Sequence, residues 1–322
     1  MKYLKNFPDH NDYSAFIIGS DFKDIQAEKK DVVSYCKNQS EIHYNPYIAP
    51  PALLDILYSD ASGNLSYTSK VLPVSEGKTP IGLCIAGTGF FGDNEPARWM
   101  SLKHMNYTTP ETGSLTSQGM YWGNNNNDIS TINNIQYTYK KCGGCGDGYL
   151  AVDYYDNSTE THKIPSILNE NNEWNISVLG AVNQYVVTDI DGKNKTTKIL
   201  VTATGQPTWQ TDISITNTYE ANYAPAACCC ARYHTLGTSA GDWYLGACGE
   251  MCMILVNKTD INTKLATINT IYTNDCINSL SNYYFTSTEY DNSCAYSIDT
   301  VRGKISYGSK GANLHILAML QY

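Results

Sequence analysis

Apolar residues in this chain come in runs of about six or fewer, set between long polar stretches, and this most narrows what it can fold into. Ile81-Gly82-Leu83-Cys84-Ile85-Ala86 is one such run, and its length suits a buried strand. No stretch of about 18 apolar residues exists, so no transmembrane helix is expected. Further strand-like pieces lie at Tyr149 to Tyr155, Tyr185 to Asp189 and Lys198 to Thr202. Between them run the Asn-rich segments Asn124 to Asn127 and Asn169 to Asn175, which a scaffold must hold in place. Helical spacing appears at Ala247 to Lys258, through Met251, Ile254, Leu255 and Lys258. It appears again at Thr263 to Ile271, through Leu265, Ile268 and Ile271. Strand patterns then fill the rest, at Tyr283 to Thr288, Cys294 to Asp299, Gly303 to Tyr307 and Leu314 to Tyr322. Arg302-Gly303 reads as a hairpin turn between the middle two. Strands and helices in this mixture predict an α+β fold.

The first 50 residues read as a separate piece. A polar opening leads to Ala15-Phe16-Ile17-Ile18 and then to the β-like Val32-Val33-Ser34-Tyr35-Cys36. Pro50-Pro51 marks a hinge, and residues 51–79 are expected to form a linker or neck. Within it Leu53 to Leu57 suits a helical turn or a strand, and Asp60 to Asn64 a turn. The opening MKYLKNFPDHNDY lacks an apolar core, so no secretory signal of the usual kind is expected and the chain should stay in the cytosol until it assembles or is released.

Charge excludes some partners. Lys and Arg number 22 against 31 Asp and Glu, a net charge of −9, with no basic stripe to meet a phosphate backbone. Charged residues make up 16% of the chain, below the usual level of about 25%. Asn, Thr, Ser and Tyr take their place, and the 26 tyrosines far outnumber the 6 Phe and 5 Trp. Tyr and Asn are frequent contact residues on adaptable binding surfaces.

Chemistry-bearing motifs are sparse. Cys142-Gly-Gly-Cys145 supplies half of a zinc site, for which Cys228 to Cys230 and His234 are the candidate other half, but a second CxxC at finger spacing is missing. Gly87-Thr88-Gly89-Phe90-Phe91-Gly92 has the spacing of a dinucleotide loop, yet Asp93-Asn94-Glu95-Pro96 follows instead of a helix. Asp189-Ile190-Asp191-Gly192-Lys193 lacks the ligand spacing of a calcium loop and reads as a hairpin turn. There is no GxSxG elbow, and the histidines are scattered. No catalytic residue, metal or cofactor is expected. The 11 cysteines are odd in number and three are consecutive, so most are expected to be small buried hydrophobes.

Several segments together carry a family resemblance. Gly241-Asp242-Trp243-Tyr244-Leu245-Gly246-Ala247-Cys248-Gly249-Glu250 opens a helix, and Thr286-Ser287-Thr288-Glu289-Tyr290 follows about forty residues later. This resembles the C-type-lectin-like domains of the major paralogous family first noted in Fibrobacter, which recur in Bacteroides and in its crAss-like phages. Pro80 to Met105, Gln206 to Thr211 and Ala226 to Thr235 resemble the same domain in the phage proteins. Met1 to Phe7, Val33 to Cys36 and Glu41 to Pro46 resemble the leader of many virion proteins of these phages. The resemblance implies a virion protein, head or tail fibre or decoration, that is no enzyme. Residues 1–50 would attach to other capsid or tail proteins. Residues 80–322 would be the lectin-like domain, with an insertion at about 124–205. A homo-oligomer, dimer or trimer, and host surface glycans are the implied partners, with no nucleic acid and no membrane insertion.

By the same resemblance Asp242, Trp243, Glu250, Ser287 and Glu289 hold the fold. Tyr290, Asp291, Asn292, Tyr296, Tyr307 and Lys310 fall in the stretch that would bind ligand. Tyrosine offers an apolar face with a hydroxyl, and Asn and Asp offer directed hydrogen bonds, a mixture that suits sugars. The chain departs from relatives at three points: Gly246 replaces a proline, Phe285 a tryptophan and Leu317 an arginine. Gly246 predicts a looser helix start. If the missing arginine normally pairs with the motif glutamate, Glu289 must find another partner. The alternatives are a bacterial surface or secreted glycan-binding lectin, and an enzyme of the sulfatase-modifying type, which would need a reactive, partly exposed cysteine pair.

Overall fold

A computed structural model describes residues 50–92, 95–116, 118–123, 129, 132, 149–150, 154–156, 161–163, 189–204, 223–273 and 275–322. The chain divides at Pro50/Pro51, and the unit from Pro51 to Tyr322 holds the described elements. Its fold is α+β.

Strands β1 (Ile56–Asp60), β2 (Leu65–Thr68), β3 (Lys78–Ala86), β4 (Arg98–His104), β8 (Trp243–Leu245) and β12 (Leu317–Gln321) form a six-stranded sheet in the order β2-β1-β3-β4-β12-β8. Every pairing in it is antiparallel. Strands β5 (Tyr149–Leu150), β9 (Tyr283–Glu289), β10 (Cys294–Asp299) and β11 (Lys304–Ser309) make a four-stranded sheet, β5-β11-β10-β9. A short ribbon pairs β6 (Tyr154–Asp156) with β7 (Thr161–Lys163). The helices are α1 (Gly192–Thr204), α2 (Pro225–Arg232), α3 (Cys248–Val256) and α4 (Lys258–Ile271).

The large sheet is buried on both faces. Alternate residues of one strand enter opposite cores: Tyr58, Leu83, Met100, Tyr244 and Met319 face one, and Leu57, Cys84, Trp99, Trp243 and Leu320 the other. The first core includes residues of α3, α4 and β9–β11, and the second residues of α1 and α2. A strand covered on both sides has no polar face, which is why Ile81 to Ala86 reads as a continuous apolar run. The expected helices at 247–258 and 263–271 coincide with α3 and α4, and the four C-terminal strands fall where the patterns put them. Gly303, at φ +69°, makes the turn between β10 and β11.

Three sequence expectations are corrected. Residues 51–79 are not a linker, because β1 and β2 lie in the large sheet and Ile56, Leu57 and Tyr58 are wholly buried. Lys198 to Thr202 is helix, not strand, and the stretch at Asp189 to Lys193 is the entrance to α1, not a hairpin turn. The β-branched residues of α1 disfavour helix weakly, and tertiary contacts override them. Ile199 and Leu200 are buried, and the Thr196 hydroxyl donates to Leu245 O (3.1 Å) and accepts from Leu245 N–H (3.0 Å), capping the edge of β8. The end of the expected insertion therefore belongs to the core. Cys142 and Cys145, the Asn-rich loops and most of residues 1–50 lie outside the described residues.

The eight described cysteines are free, and all but Cys294 are buried. Burial pushes the Cys84, Cys228 and Cys276 thiols up to about 12. These thiols stay protonated and pack as small apolar groups.

Candidate functional site

The end of the four-stranded sheet gathers most of the residues that the family resemblance singled out. Tyr296 on β10 stands directly across from Tyr307 on β11, and Tyr290 follows β9. The Tyr290 and Tyr307 rings stack at 4.0 Å, 3° from parallel. Tyr296 packs edge-on against both, at 5.7 and 6.2 Å. Tyr290 and Tyr307 are half-buried and Asn292 is exposed, so these three side chains face the surroundings. Tyr296 is wholly buried and forms the base of the stack.

Lys310 was expected on the ligand face, and its side chain is wholly buried. Its ammonium pairs with the Glu289 carboxylate, donates to Asn292 O (3.0 Å) and lies 4.9 Å from the centre of the Trp122 ring. Lys310 is therefore a cationic partner of Glu289. The Glu289 carboxylate also accepts from Ile129 N–H (3.3 Å). Trp122 is fixed in turn, with its indole donating to Thr286 O (2.8 Å). Asp291 closes the turn between β9 and β10 by accepting from Ser293 N–H (2.8 Å), Ser293 Oγ (3.0 Å) and Cys294 N–H (2.7 Å). All three bonds go to Oδ1, which shapes the loop. Of the six expected contact residues, Tyr296 and Lys310 are buried, Tyr290, Asp291 and Tyr307 are partly buried and Asn292 is exposed.

The motif residues form a framework beneath the large sheet and the helices. Asp242 accepts from Ser239 N–H (2.7 Å) and closes a turn. Trp243 is wholly buried, donates to Thr238 Oγ1 (3.0 Å) and meets the Tyr233 ring edge-on at 5.1 Å. Ser287 is buried, and its backbone N–H donates to Gly246 O (2.8 Å). Glu250 is the hub. Its carboxylate accepts from Ala247 N–H (2.8 Å), Tyr244 OH (2.8 Å) and Arg98 Nε (2.7 Å). Burial pushes the Glu250 carboxyl up, and Arg98 with the other two donors pulls it back. Arg98, also buried, reaches Glu95 (2.8 Å) and Pro96 O (2.6 Å), so its charge is fully engaged.

The α3 entrance is tight, contrary to the looseness expected from Gly246. Glu250 satisfies Ala247 N–H, and Thr288 Oγ1 accepts from Cys248 N–H (2.8 Å). A Cβ on Gly246 would sit 2.6 Å from Met319 Cγ and 3.1 Å from Met251 Cγ. The glycine is there because methionines fill the space. Gly246→Ala is expected to lower stability by about 1–3 kcal/mol through overpacking, read from the urea midpoint.

Sequence reasoning assigned no role to Arg98, Trp122 or the Asp189 cluster. Asp189 accepts from Thr288 Oγ1 (2.5 Å), pairs with Lys195, and takes Gly249 N–H on its backbone carbonyl (2.8 Å). A charged residue between Ala97 and Trp99-Met100 was the available signal for Arg98, since a buried arginine requires a carboxylate. Of the alternative zinc ligands, Cys228, Cys229 and Cys230 are buried in α2, whereas His234 is exposed and its Nδ1 lies 3.1 Å from Arg232 O. Among the described residues no group of His, Cys, Asp and Glu is arranged to hold a metal. Among them, too, no helix is long and apolar enough to cross a membrane.

His104 gives the domain an acid-sensitive point. It is buried, stacks on Tyr284 (5.8 Å) and neighbours His315 (5.9 Å), and its Nδ1 has no hydrogen-bond partner among the described residues. Burial chiefly, and then His315, bring its pKa down to about 4. The fold thus prefers neutral His104, and that preference is complete above the unfolded pKa of about 6.5. Stability is expected to fall as pH drops from about 6.5 to 4, by up to about 3 kcal/mol from this group. Urea unfolding across that range should show a steeper loss in the native protein than in His104→Phe.

Comparison with protein-family models, with curated proteins and with solved structures finds no match to this chain.

Proposed function

We propose that this chain is a structural protein of a tailed phage virion of the crAss-like type. In this reading residues 51–322 form a C-type-lectin-like domain, and residues 1–50 attach it to the head or tail as part of a symmetric homo-oligomer. The order of elements supports the domain assignment. The Asp242-Trp243 strand leads straight into α3 and α4, β9–β11 follow as antiparallel neighbours, and β12 returns to pair with β4 and β8. No chemical step is part of the proposal, and no catalytic residue is assigned.

The observation that carries the ligand-binding part is the Tyr290–Tyr307 stack beside exposed Asn292. Two partly exposed aromatic rings stack on each other and pack on buried Tyr296, so they are held before any ligand arrives. A rigid aromatic face loses little freedom on binding. Host surface glycans are the proposed ligand.

Electron microscopy of purified particles, with the oligomeric state of the recombinant chain measured alongside, tests the virion assignment. The expected result is density for this chain on head or tail, with the first 50 residues against the particle. Its absence from particles, with a glycan-binding monomer in solution, would establish the free lectin instead. For the face itself, Tyr307→Ala is expected to weaken adhesion to host cells at least tenfold while lowering stability by about 1–2 kcal/mol, since the ring is only half-buried. Unchanged adhesion would remove the face from the proposal.

A further inference from the structure

A seam between the small sheet and the large one runs along residues 314–316, which lead into β12. His315 N–H donates to Tyr283 O (3.0 Å) and Phe285 N–H donates to His315 O (3.1 Å), which ties this segment to β9. On the other side Met105 N–H, just past β4, donates to Ile316 O (3.0 Å). Three rings fill the seam: His104 from β4, Tyr284 from β9 and His315 from the segment itself. Their centres lie 5.8 to 6.1 Å apart in every pair.

The closed seam is hostile to a proton. A proton added to the His104 ring makes both of its nitrogens donors. His104 is 3% exposed and its Nδ1 meets no acceptor among the described residues, so the result is a buried cation with an unmade hydrogen bond. The elements around it supply no counter-charge among the described residues. β9 presents Tyr284, while Tyr283 beside it turns away to Arg302. β12 presents apolar Leu317, and the segment before it presents His315. Met100 and Leu102 share the core face of β4 with His104, which places Lys103 on the opposite face. Ser114 lies across from His104, and Glu111 on the same loop is paired with Arg232. The connector after α4 reaches Leu102 O through Ile277 N–H (2.9 Å), and its Asp275 is exposed. Burial and His315 thus both oppose the charge.

Relief lies close by. His315 is only partly buried, so the ring cluster has a short path to water along the edge of the seam. Two backbone bonds hold the segment to β9, whereas the ladders within each sheet are longer. A closed form that excludes the proton gives way in acid to an open form that accepts it.

We propose that this seam is a proton-operated hinge: when His104 takes up a proton, residues 314–316 part from β9 while both sheets stay folded. Loss of the proton lets the seam close again. The inference depends neither on attachment to a virion nor on a ligand.

Hydrogen exchange of the full chain, read by mass spectrometry at about pH 7 and about pH 4.5 and corrected for intrinsic rates, tests this. Peptides carrying the amides of Phe285 and His315 are expected to lose protection at least tenfold in acid and to regain it at neutral pH. Those of β3 and α3 should change far less. His104→Phe keeps a ring in the seam and takes no proton, so its seam should stay protected in acid. His315→Gln, at a partly exposed position, removes the repelling charge from the closed form, and opening should then need a lower pH. Protection of both amides that persists in the native protein in acid overturns the proposal. Equal loss from every element also overturns it, because that is global unfolding and not a hinge. Acid opening that is the same in His104→Phe as in the native chain assigns the event to another group. Should His104→Phe fail to fold, opening of His315→Gln at an unchanged pH is the result that sinks the hinge.

Discussion

Lys310→Met is expected to destabilise the protein by about 3–5 kcal/mol at neutral pH, because it leaves the Glu289 carboxylate buried without its cation. Both side chains are wholly buried, so solvent cannot replace the lost charge. The change also removes the bond to Asn292 O and the ammonium above the Trp122 ring. Two elements are loosened together: the turn after β9, and the segment at Trp122 whose backbone N–H donates to Lys310 O (3.0 Å). Urea unfolding gives the stability, and tryptophan emission should shift as Trp122 changes its surroundings. Replacing both partners, Lys310→Met with Glu289→Leu, is expected to recover most of the loss, since no buried charge then remains. A single-variant cost below about 1 kcal/mol would show that the pair contributes no more than an exposed one.

Arg98→Met should have an effect of similar size for a different reason. Arg98 serves Glu250, Glu95 and Pro96 O at once, and lies 5.4 Å from the Phe91 ring. Glu250 is wholly buried and holds the first turn of α3. Without the guanidinium it must either stay charged at high cost or take a proton and weaken its hold on Ala247 N–H. A loss of about 3–5 kcal/mol is expected. Glu250→Gln should cost less, because it removes the buried negative charge while its one amide oxygen still accepts either from Ala247 N–H or from Tyr244 OH and Arg98 Nε, which reach different oxygens of the carboxylate. If the two variants prove equally damaging, it is the hydrogen bonds that stabilise the turn and not the ion pair. Thermal and urea unfolding of the two side by side decide this.

Much of the fold was legible because the C-terminal elements are locally consistent. Met251, Ile254 and Leu255 repeat at helical spacing, and Arg302-Gly303 provides the turn that a hairpin needs. The α1 helix was not legible, since Ile199, Leu200 and Val201 together look like a strand, and contacts far away in sequence turn them into helix. The 51–79 stretch misled for a related reason. Its prolines and turn residues suggest a tether, yet Ile56 to Tyr58 are bounded by them and paired with β3. At the candidate site the chemistry of tyrosine was readable and its exposure was not. Tyr296 and Tyr307 sit directly opposite each other on neighbouring strands, yet one is wholly buried and the other only partly. Lys310 is the sharpest case. A lysine after a strand ordinarily reaches solvent, and here Glu289 and Trp122 draw it inward, a pairing fixed by tertiary structure and not by spacing.

The position of β12 governs the order in which this sheet can assemble. It lies between β4 and β8, so β8 reaches the rest of the large sheet only through the final segment of the sequence. On a ribosome β1 to β4 can pair as soon as they emerge, leaving the edge of β4 bare while the following two hundred or so residues are made. Pairings this distant in sequence form slowly, and an open strand edge invites the same edge on a neighbouring chain. Slow synthesis or crowded expression should therefore favour intermolecular pairing along β4, and the arrival of β12 is the step that closes the edge.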